Sequence, residues 1–195
     1  FFFQAEDGIR DDLVTGVQTC ALPILTAGES HGKGLLGIIE GLPSNIKISE
    51  TYVKQHLSRR QKGHGRGGRM KIEDDFAEFI GGVRYGETLG GPIGLQIKNR
   101  DWENWKDVMD HNIPEKPSKP ITMLRPGHAD LAGLQKFGMN DIRNILERSS
   151  ARETTMRVAL GSFCRKMLED IGIEIGSRVV QIHNLKDTQD IETNQ

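Results

Sequence analysis

The spacing of apolar and polar residues along the chain predicts short strands combined with a few helices. Ile93, Leu95 and Ile97 alternate with small or polar residues, so residues 92–99 are predicted to form a half-buried strand. Apolar runs bounded by turn residues predict four further strands. These lie at residues 25–27, 35–40, 76–84 and 173–183.

Three shorter helical segments are predicted in the first two thirds of the chain. Ser49 is expected to cap a helix that runs to about residue 60. Residues 102–109 are predicted to form a short helix or turn, and Asp130 is expected to cap a helix that begins at residue 131.

The longest helix is predicted over residues 151–170. Apolar residues recur there every three or four positions, at Met156, Leu160, Phe163, Met167 and Ile171. Gly172 is the expected C-terminal stop. Helices and strands are mixed without the regular alternation of a doubly wound sheet, so the chain is predicted to have an α+β fold.

The first stretch of the chain has neither helical nor strand periodicity. Residues 1 to about 24 resemble translated sequencing-adaptor sequence, so we expect them to be non-native and disordered. The alternative is a genuine disordered N-terminal extension. In both cases residues 25–195 are the part to which fold reasoning applies.

Composition excludes several broad classes of protein. The net charge of −1 argues against a general nucleic-acid binder, although seven Lys or Arg and no acid lie between residues 54 and 71. The two cysteines do not suggest a disulfide framework, so a reducing cytoplasm is expected. Apolar runs are too short for a membrane span, and no membrane association is expected.

The predicted helix start near Ser150 carries more hydrogen-bonding groups than a helix needs. Ser150 and Glu153 form a Ser-x-x-Glu capping box. A helix N-terminus also offers free N–H groups and the positive end of a dipole, both of which suit phosphate. A capping box alone leaves Arg148 and Arg152 unexplained, so a phosphate site is predicted here.

Two loops each contain one histidine that could act chemically. Glycines surround His31 in residues 28–34, which suits a general acid in close contact with a ligand, and a flexible turn with a surface histidine is the alternative. A Pro-Gly turn precedes His128 and exposes it. Considered without the rest of the sequence, His128 is interpreted as an ordinary loop histidine. Asp130 is interpreted as the cap of the next helix rather than as a partner of His128.

The glycine-rich basic loop at residues 59–69 suits a polyanionic ligand, because guanidinium groups bind phosphate through paired hydrogen bonds. Three interpretations compete: a site for a small phosphorylated molecule, an RNA-contacting segment, and a solvated mobile loop. No aromatic residue separates the arginines, so base stacking is poorly supported.

A metal site is not expected. Five residues could ligate a metal: Glu29, His31, His64, His128 and Asp130. None of them shows the spacing of His-Glu-x-x-His or paired Cys-x-x-Cys motifs.

Taken together, these segments resemble the chorismate synthase family, in the same order and at matching spacing. The similarity extends from about residue 25 to about residue 185. It rests on Gly28-Glu29-Ser30-His31-Gly32, Glu40-Gly41-Leu42-Pro43, Arg59-Arg60-Gln61-Lys62-Gly63 through Arg69-Met70, Arg125-Pro126-Gly127-His128-Ala129-Asp130, and Glu147-Arg148-Ser149-Ser150-Ala151-Arg152-Glu153-Thr154.

The resemblance implies a lyase of the shikimate pathway with a β-α-β sandwich fold, here incomplete. Such an enzyme converts 5-enolpyruvylshikimate 3-phosphate to chorismate by 1,4-elimination of phosphate. It needs reduced FMN, which bifunctional members regenerate with NADPH. A homotetramer is expected for the full-length protein, in the cytoplasm and without nucleic-acid or membrane partners.

The resemblance also implies roles for individual residues. His31, His128, Ser30 and Ser150 match positions with catalytic roles. His31 corresponds to the histidine near the leaving phosphate, and His128 to the one that protonates or stabilises the flavin. Cofactor contacts are implied for Arg60, Arg66, Arg148, Ser149 and Ser150. Substrate-phosphate contacts are implied for Arg60, Arg66 and Arg152.

Family members continue well beyond residue 195. We therefore expect residues 25–195 to be a truncated domain that is inactive alone, binds FMN weakly at best and exposes surface that the absent part would cover. Two hypotheses from other classes remain: an RNA-binding module using the Gly-Arg loop, and a metal-dependent phosphatase.

Overall fold

The computed structural model describes residues 22–62 and 72–188, and its centre is a four-stranded antiparallel sheet. The strands lie in the order β1 (Ile24–Ala27), β2 (Gly34–Ile39), β7 (Ile93–Lys98) and β4 (Glu78–Gly81). The pairing of β2 with β7 places Leu35 opposite Ile97 and Ile39 opposite Ile93. These four side chains share the buried face of the sheet, which confirms the half-buried strand predicted for residues 92–99.

Two smaller sheets complete the strands of the described residues. One contains β3 (Ser44–Lys47), β6 (Glu87–Leu89) and β5 (Val83–Arg84), in that order. The other is a hairpin of β8 (Gln181–Ile182) and β9 (Leu185–Lys186). The mixture of antiparallel sheets and helices confirms the predicted α+β class.

Two helices form a layer against the central sheet. α1 (Glu50–Gln61) packs against α5 (Thr154–Asp170), and α5 also contacts β2. Ser49 caps α1 as predicted, because its hydroxyl accepts a hydrogen bond from the Tyr52 N–H at 3.2 Å. The core between these layers is apolar. Its most buried members include Leu35, Ile39, Val53, Leu57, Ile93, Leu95, Ile97, Met156, Leu160 and Phe163.

Three shorter helices lie between the sheet and α5 in the chain. They are α2 (Trp102–Met109), α3 (Asp130–Phe137) and α4 (Arg143–Arg148), and a 3₁₀ turn at Ala151–Glu153 leads into α5. The segment at residues 111–120, which contains three prolines, is irregular and exposed. No helix within residues 22–62 and 72–188 is both long and apolar enough to cross a membrane.

The strand predicted at residues 76–84 is divided between two sheets. β4 pairs with β7 in the central sheet, whereas β5 pairs with β6 in the smaller one. Gly82 lies at the junction with φ +86°, and a Cβ there would lie 2.5 Å from the Pro92 carbonyl oxygen. Only glycine fits this bend without strain, and one continuous strand was therefore the wrong prediction.

The strand predicted at residues 173–183 was also mostly wrong. Only Gln181 and Ile182 form strand structure, while residues 173–180 are irregular and exposed. Alternating apolar residues there have no neighbouring strand to pair with among the described residues. Gly172, in contrast, follows α5 with φ +79° and donates to the Glu169 carbonyl at 3.0 Å, as expected of a helix stop.

The central sheet presents large apolar side chains on the face opposite α5. Leu25 is paired with Ile38 in the register of β1 and β2, and the two side chains are 70% and 38% exposed. Leu36 and Ile80 are exposed as well. An exposed apolar surface of this kind is typical of a face covered by further protein.

The close contact between Gly37 and α5 generates a test of this packing. A Cβ at Gly37 would lie 2.5 Å from Met156 Cγ and 2.9 Å from Leu160 Cδ1, both in fully buried side chains. We expect Gly37→Ala to lower the free energy of unfolding by about 1–3 kcal/mol through overpacking. Urea denaturation followed by circular dichroism measures the change.

Gly94→Ala is the matched control. Gly94 lies opposite Ile38 in the same sheet, and its added Cβ would meet only Ile80 Cβ at an ordinary 3.8 Å. Equal losses in the two variants would contradict the contact between Gly37 and α5.

Candidate functional site

Asn99 holds the loop that follows β1 in one shape. Its side-chain amide donates to the carbonyl oxygens of Glu29, Ser30 and Gly32 at 3.1, 3.2 and 2.8 Å. Asn99 lies directly after β7 and is 5% exposed. The loop is therefore bound through its backbone, which leaves its side chains available for other contacts.

His31 is held on two sides by groups from distant parts of the chain. Its Nδ1 lies 3.0 and 2.9 Å from the two carboxylate oxygens of Glu147, and its backbone N–H donates to Glu147 Oε2 at 2.8 Å. The imidazole also stacks on Trp105, with 4.0 Å between ring centroids and 26° between planes. These contacts fix the orientation of the ring.

Ser30 and Ser150 are in direct contact. The Ser150 hydroxyl donates to the Ser30 hydroxyl oxygen at 3.0 Å, and Ser30 is 3% exposed. The Ser30 N–H also donates to the Glu147 carbonyl at 3.0 Å. Two of the predicted motifs therefore meet through hydroxyls that could exchange a proton.

The capping box at Ser150 forms only in part. The Ser150 hydroxyl accepts from the Arg152 N–H at 3.3 Å, but Glu153 binds the Thr26 hydroxyl at 2.5 Å and the Arg157 guanidinium at 2.9 Å. The first turn is 3₁₀ rather than α-helical. Glu153, which a complete capping box would place on the helix start, instead links α5 to β1.

Arg152 is a buried cation. Its guanidinium forms ion pairs with Asp75 and, at 3.5 Å, with Glu73, while Nε donates to Asn99 Oδ1 at 2.9 Å. All four side chains are almost fully buried. Nη2, the atom that faces Glu73, makes no hydrogen bond within the described residues.

Arg148 and Arg60 approach the same helix start from two sides. Arg148 Nη2 donates to the carbonyl and hydroxyl oxygens of Thr26 at 2.7 and 2.9 Å. Arg60, at the end of α1, donates to the Ala151 carbonyl at 2.6 Å and to the Thr154 hydroxyl at 3.0 Å. Both guanidinium groups therefore lie on the rim of the cluster, close to solvent.

A cavity of about 780 Å³ opens beside these residues, between α2, α3 and α4. Cations and apolar side chains line it together: Lys136 and Arg148 beside Phe137, Met139 and Ile145. Glu29 and Ser149 also face this space. Its volume and lining are those of a pocket for a small organic ligand with a negative charge.

The segment with His128 is held by a different ion pair. Arg125 binds Asp130 through Nε and Nη2 at 3.0 and 2.8 Å, so Asp130 is not the cap of α3 that we predicted. α3 begins at Asp130 itself, after Ala129. Hydrogen bonding to Arg125 lowers the pKa of Asp130 to about 2, and the nearby His128 contributes in the same direction.

Direct contacts unite most, but not all, of the predicted residues. The loop with Ser30 and His31 meets the segment from Glu147 to Thr154, which Arg60 also reaches. Ser149 lines the cavity, and its hydroxyl donates to the Ile145 carbonyl at 2.7 Å. His128 is exposed, and its side chain makes no hydrogen bond or ion pair with the other predicted site residues within the described ranges.

Some predictions could not be placed. Arg66 and His64 lie outside the described residues, as does the glycine-rich part of the basic loop. Among the residues that the structure describes, no group of three or more His, Cys, Asp or Glu could hold a metal ion.

Sequence reasoning missed several residues of the site, among them Asn99, Asp75 and the side chain of Glu147. Asn99 could have been noticed as a polar residue directly after a buried strand. Asp75 belongs to an acidic stretch that we noted only as a charge imbalance. Glu147 had no local signal, because its partner His31 is far away in the sequence.

The ion pair of Asp130 and Arg125 predicts a specific acid sensitivity. The lowered pKa of Asp130 means that this pair stabilises the fold fully above the ordinary aspartate pKa of 3.8, and less as the pH falls toward about 2. Asp130→Asn removes this contribution, so the difference in unfolding free energy between wild type and variant should shrink over that range. Urea denaturation at a series of pH values measures it.

Asp107→Asn, which changes an exposed aspartate on α2, is the control. Its stability should follow that of the wild type at every pH. A constant difference between wild type and Asp130→Asn at all pH values would contradict the assigned pair.

Comparisons with known proteins identify the family of this chain. The family model described as "Chorismate synthase" matches residues 22–195, starting just before β1. The Aquifex aeolicus chorismate synthase is 59% identical over 162 residues, which cover 83% of this chain and 41% of that protein. The Sulfurihydrogenibium sp. chorismate synthase is 56% identical over 173 residues, covering 88% and 44%.

A solved structure shows the same fold. A crystal structure of chorismate synthase superposes with a TM-score of 0.65 at 45% identity, over 85% of this chain and 40% of that one. This confirms the predicted chorismate-synthase-like α+β fold, present in part. The chain spans about two fifths of the length of the curated relatives it matches, and it belongs to the chorismate synthase family.

Proposed function

We propose that this chain acts as part of a chorismate synthase, a carbon–oxygen lyase of the shikimate pathway that serves aromatic amino acid biosynthesis. The substrate would be 5-enolpyruvylshikimate 3-phosphate. In the 1,4-elimination a ring carbon loses a proton, the carbon–oxygen bond to phosphate breaks, and chorismate and phosphate are released. The observation that carries the proposal is the family match together with the contact of Ser30 and Ser150, which joins two of the matched motifs.

His31 is proposed as the acid beside the leaving phosphate. Its ring is held by Glu147 and Trp105, and its side chain remains partly exposed. A departing phosphate needs its charge neutralised and can take a proton, and a positioned general acid contributes about 10²–10⁴ in rate. Ser30 and Ser150 would pass protons between this position and the helix start.

The arginines around the helix start are proposed to hold the phosphate. Arg60 supplies a half-exposed guanidinium, and Arg152 supplies the Nη2 group that makes no hydrogen bond within the described residues. Arg66, outside the described residues, is proposed for the same role on the resemblance alone. Guanidinium groups suit this task because they bind phosphate oxygens in pairs.

The residues of the cavity fit reduced FMN. Lys136 and Arg148 offer positive charge for an anionic ligand, Phe137 and Met139 offer apolar contact for a flat ring, and Ser149 is also part of the lining. When bound, reduced FMN would bring an electron-rich ring to an elimination that has no net redox change. His128, whose neighbour Ala129 lines the cavity, is proposed to protonate or stabilise that ring.

Further properties of the whole protein belong to the proposal. A homotetramer in the cytoplasm is expected from the family, and bifunctional members use NADPH to reduce the flavin. The two alternatives from other classes gain nothing from the structure: the centre of the basic loop lies outside the described residues, and no metal cluster occurs within residues 22–62 and 72–188.

The histidine roles can be tested in a full-length chimera. Residues 22–195 of this chain are joined to the remainder of the Aquifex aeolicus relative, and chorismate formation is followed with reduced FMN. We expect His31→Ala and His128→Ala each to lower kcat by about 10²–10⁴ without loss of folded protein. Circular dichroism and thermal unfolding check the fold.

His183→Asn is the matched control for these variants. His183 is exposed in the hairpin of β8 and β9 with φ +54°, a conformation that asparagine tolerates. Its rate should equal that of the unaltered chimera. Near-normal rates in both His31→Ala and His128→Ala would refute the assigned roles, and loss of activity with chelator would favour the phosphatase hypothesis.

The 195-residue chain by itself should show no measurable turnover and at best weak FMN binding. The relatives are more than twice as long, and the apolar side chains of Phe137 and Leu131 on α3 are more than half exposed here. Isothermal titration with FMN and light scattering compare the chain with the chimera. We also expect the chain alone to aggregate through its exposed apolar surface. Micromolar or tighter FMN binding by the chain alone would contradict the expectation of weak binding.

A further inference from the structure

We infer that Glu147 is a positioning residue for His31: it holds the imidazole with Nδ1 as the donor and leaves Nε2 as the ring nitrogen that meets the ligand. The catalytic part of this inference rests on the proposed function of His31. The geometric part concerns the tautomer of one histidine and can be tested without any turnover.

Within the loop at residues 28–34, the Glu147 carboxylate forms its hydrogen bonds with His31. Its carboxylate is fully buried, and both oxygens lie within 3.0 Å of His31 Nδ1. One of them also accepts the His31 backbone N–H at 2.8 Å. The same carboxylate therefore fixes the backbone and the ring of one residue, which restricts the side-chain torsions of His31.

The chemistry of the carboxylate determines the tautomer. An ionised carboxylate has no hydrogen to donate, so a nitrogen that binds it must carry the proton. Arg143 Nη1 lies 3.6 Å from Glu147 Oε1, so an opposite charge stands beside the carboxylate. In neutral His31 the Nδ1 position is therefore protonated and Nε2 is left as an acceptor, whereas protonated His31 donates from Nε2.

Trp105 and Arg143 complete the positioning. The Trp105 ring covers one face of the imidazole, and the Arg143 guanidinium lies 5.4 Å from the Trp105 ring centroid. One edge and one face of the imidazole are thus occupied by protein. The edge with Nε2 is the part left for a substrate oxygen, and only a protonated His31 can give that oxygen a proton.

The first test is spectroscopic and uses the full-length chimera labelled with 15N-histidine, because the chain alone is expected to aggregate. Above the pH range in which imidazole titrates, long-range 1H–15N correlations report which ring nitrogen carries the proton. We expect His31 to be protonated at Nδ1. A wild-type spectrum that shows His31 protonated at Nε2 would overturn the inference without any variant.

The variant Glu147→Gln separates positioning from simple packing. The amide keeps the shape, but its oxygen can accept only one of the two His31 donors, and its NH2 group then faces Nδ1 as a donor. We expect His31 to change to the Nε2-protonated tautomer. Glu169→Gln, which alters another ion-paired carboxylate on α5, should leave the His31 spectrum unchanged.

The second test uses the chimera and asks whether the effect passes through His31. Glu147→Gln should lower kcat by about 10- to 100-fold with little change in KM, as loss of a positioning partner does at other sites. In a His31→Ala background the same substitution should have no further effect on kcat, because the group it positions is gone. Glu147→Asp, which keeps the carboxylate, should recover part of the rate.

The outcomes distinguish this inference from the proposed function. Full activity of His31→Ala would refute the proposed role of His31. Loss of activity in His31→Ala combined with a normal kcat in Glu147→Gln, or with additive losses in the double variant, would refute the positioning role of Glu147 alone. If Glu147→Gln does not fold, the wild-type spectrum and Glu147→Asp still decide the question.

Discussion

The buried guanidinium of Arg152 is the constraint on which the arrangement of the site depends. A buried charge is tolerated when it is paired and hydrogen-bonded, and removing one partner of such a pair costs about 3–5 kcal/mol. Asp75 and Glu73 supply the opposite charge, and Asn99 accepts from Nε. The segment before β4, the end of β7 and the start of α5 must therefore come together for any of them to be stable.

Asn99 transmits this constraint to the loop that carries His31. Its oxygen accepts from Arg152, so its amide nitrogen points away from the guanidinium and toward the carbonyls of Glu29, Ser30 and Gly32. On the other side, α5 is fixed by its own packing, since Met156 and Leu160 are fully buried against the central sheet. The apolar core thus sets the position of the helix start, and the polar network sets the loop relative to it.

Local features of the fold were predictable from the sequence, whereas long-range pairing was not. The Ser49 cap, the alternation in β7 and the stop at Gly172 each depend on a few neighbouring residues. The division of residues 76–84 between two sheets depends on which strands lie beside each half. The periodicity of the sequence carries no information about that pairing. For the same reason the motifs pointed to Ser30 and Ser150, while the partners Asn99 and Glu147 became visible only in three dimensions.

The balance of charge around the helix start limits where a phosphate could be held. Arg152 faces Asp75 and Glu73, and Arg148 lies 3.6 Å from Glu153, so each of these cations already has an acid beside it. Arg60, in contrast, donates to the oxygens of Ala151 and Thr154, and its side chain is half-exposed at the end of α1. Because α1 also carries Arg59 in its last turn and leads into the basic residues that follow, the attraction for an anion should be strongest at this end of the cluster. In the proposed function, the buried part of the network would orient the ligand-facing groups, and the cations at the end of α1 would attract the anion.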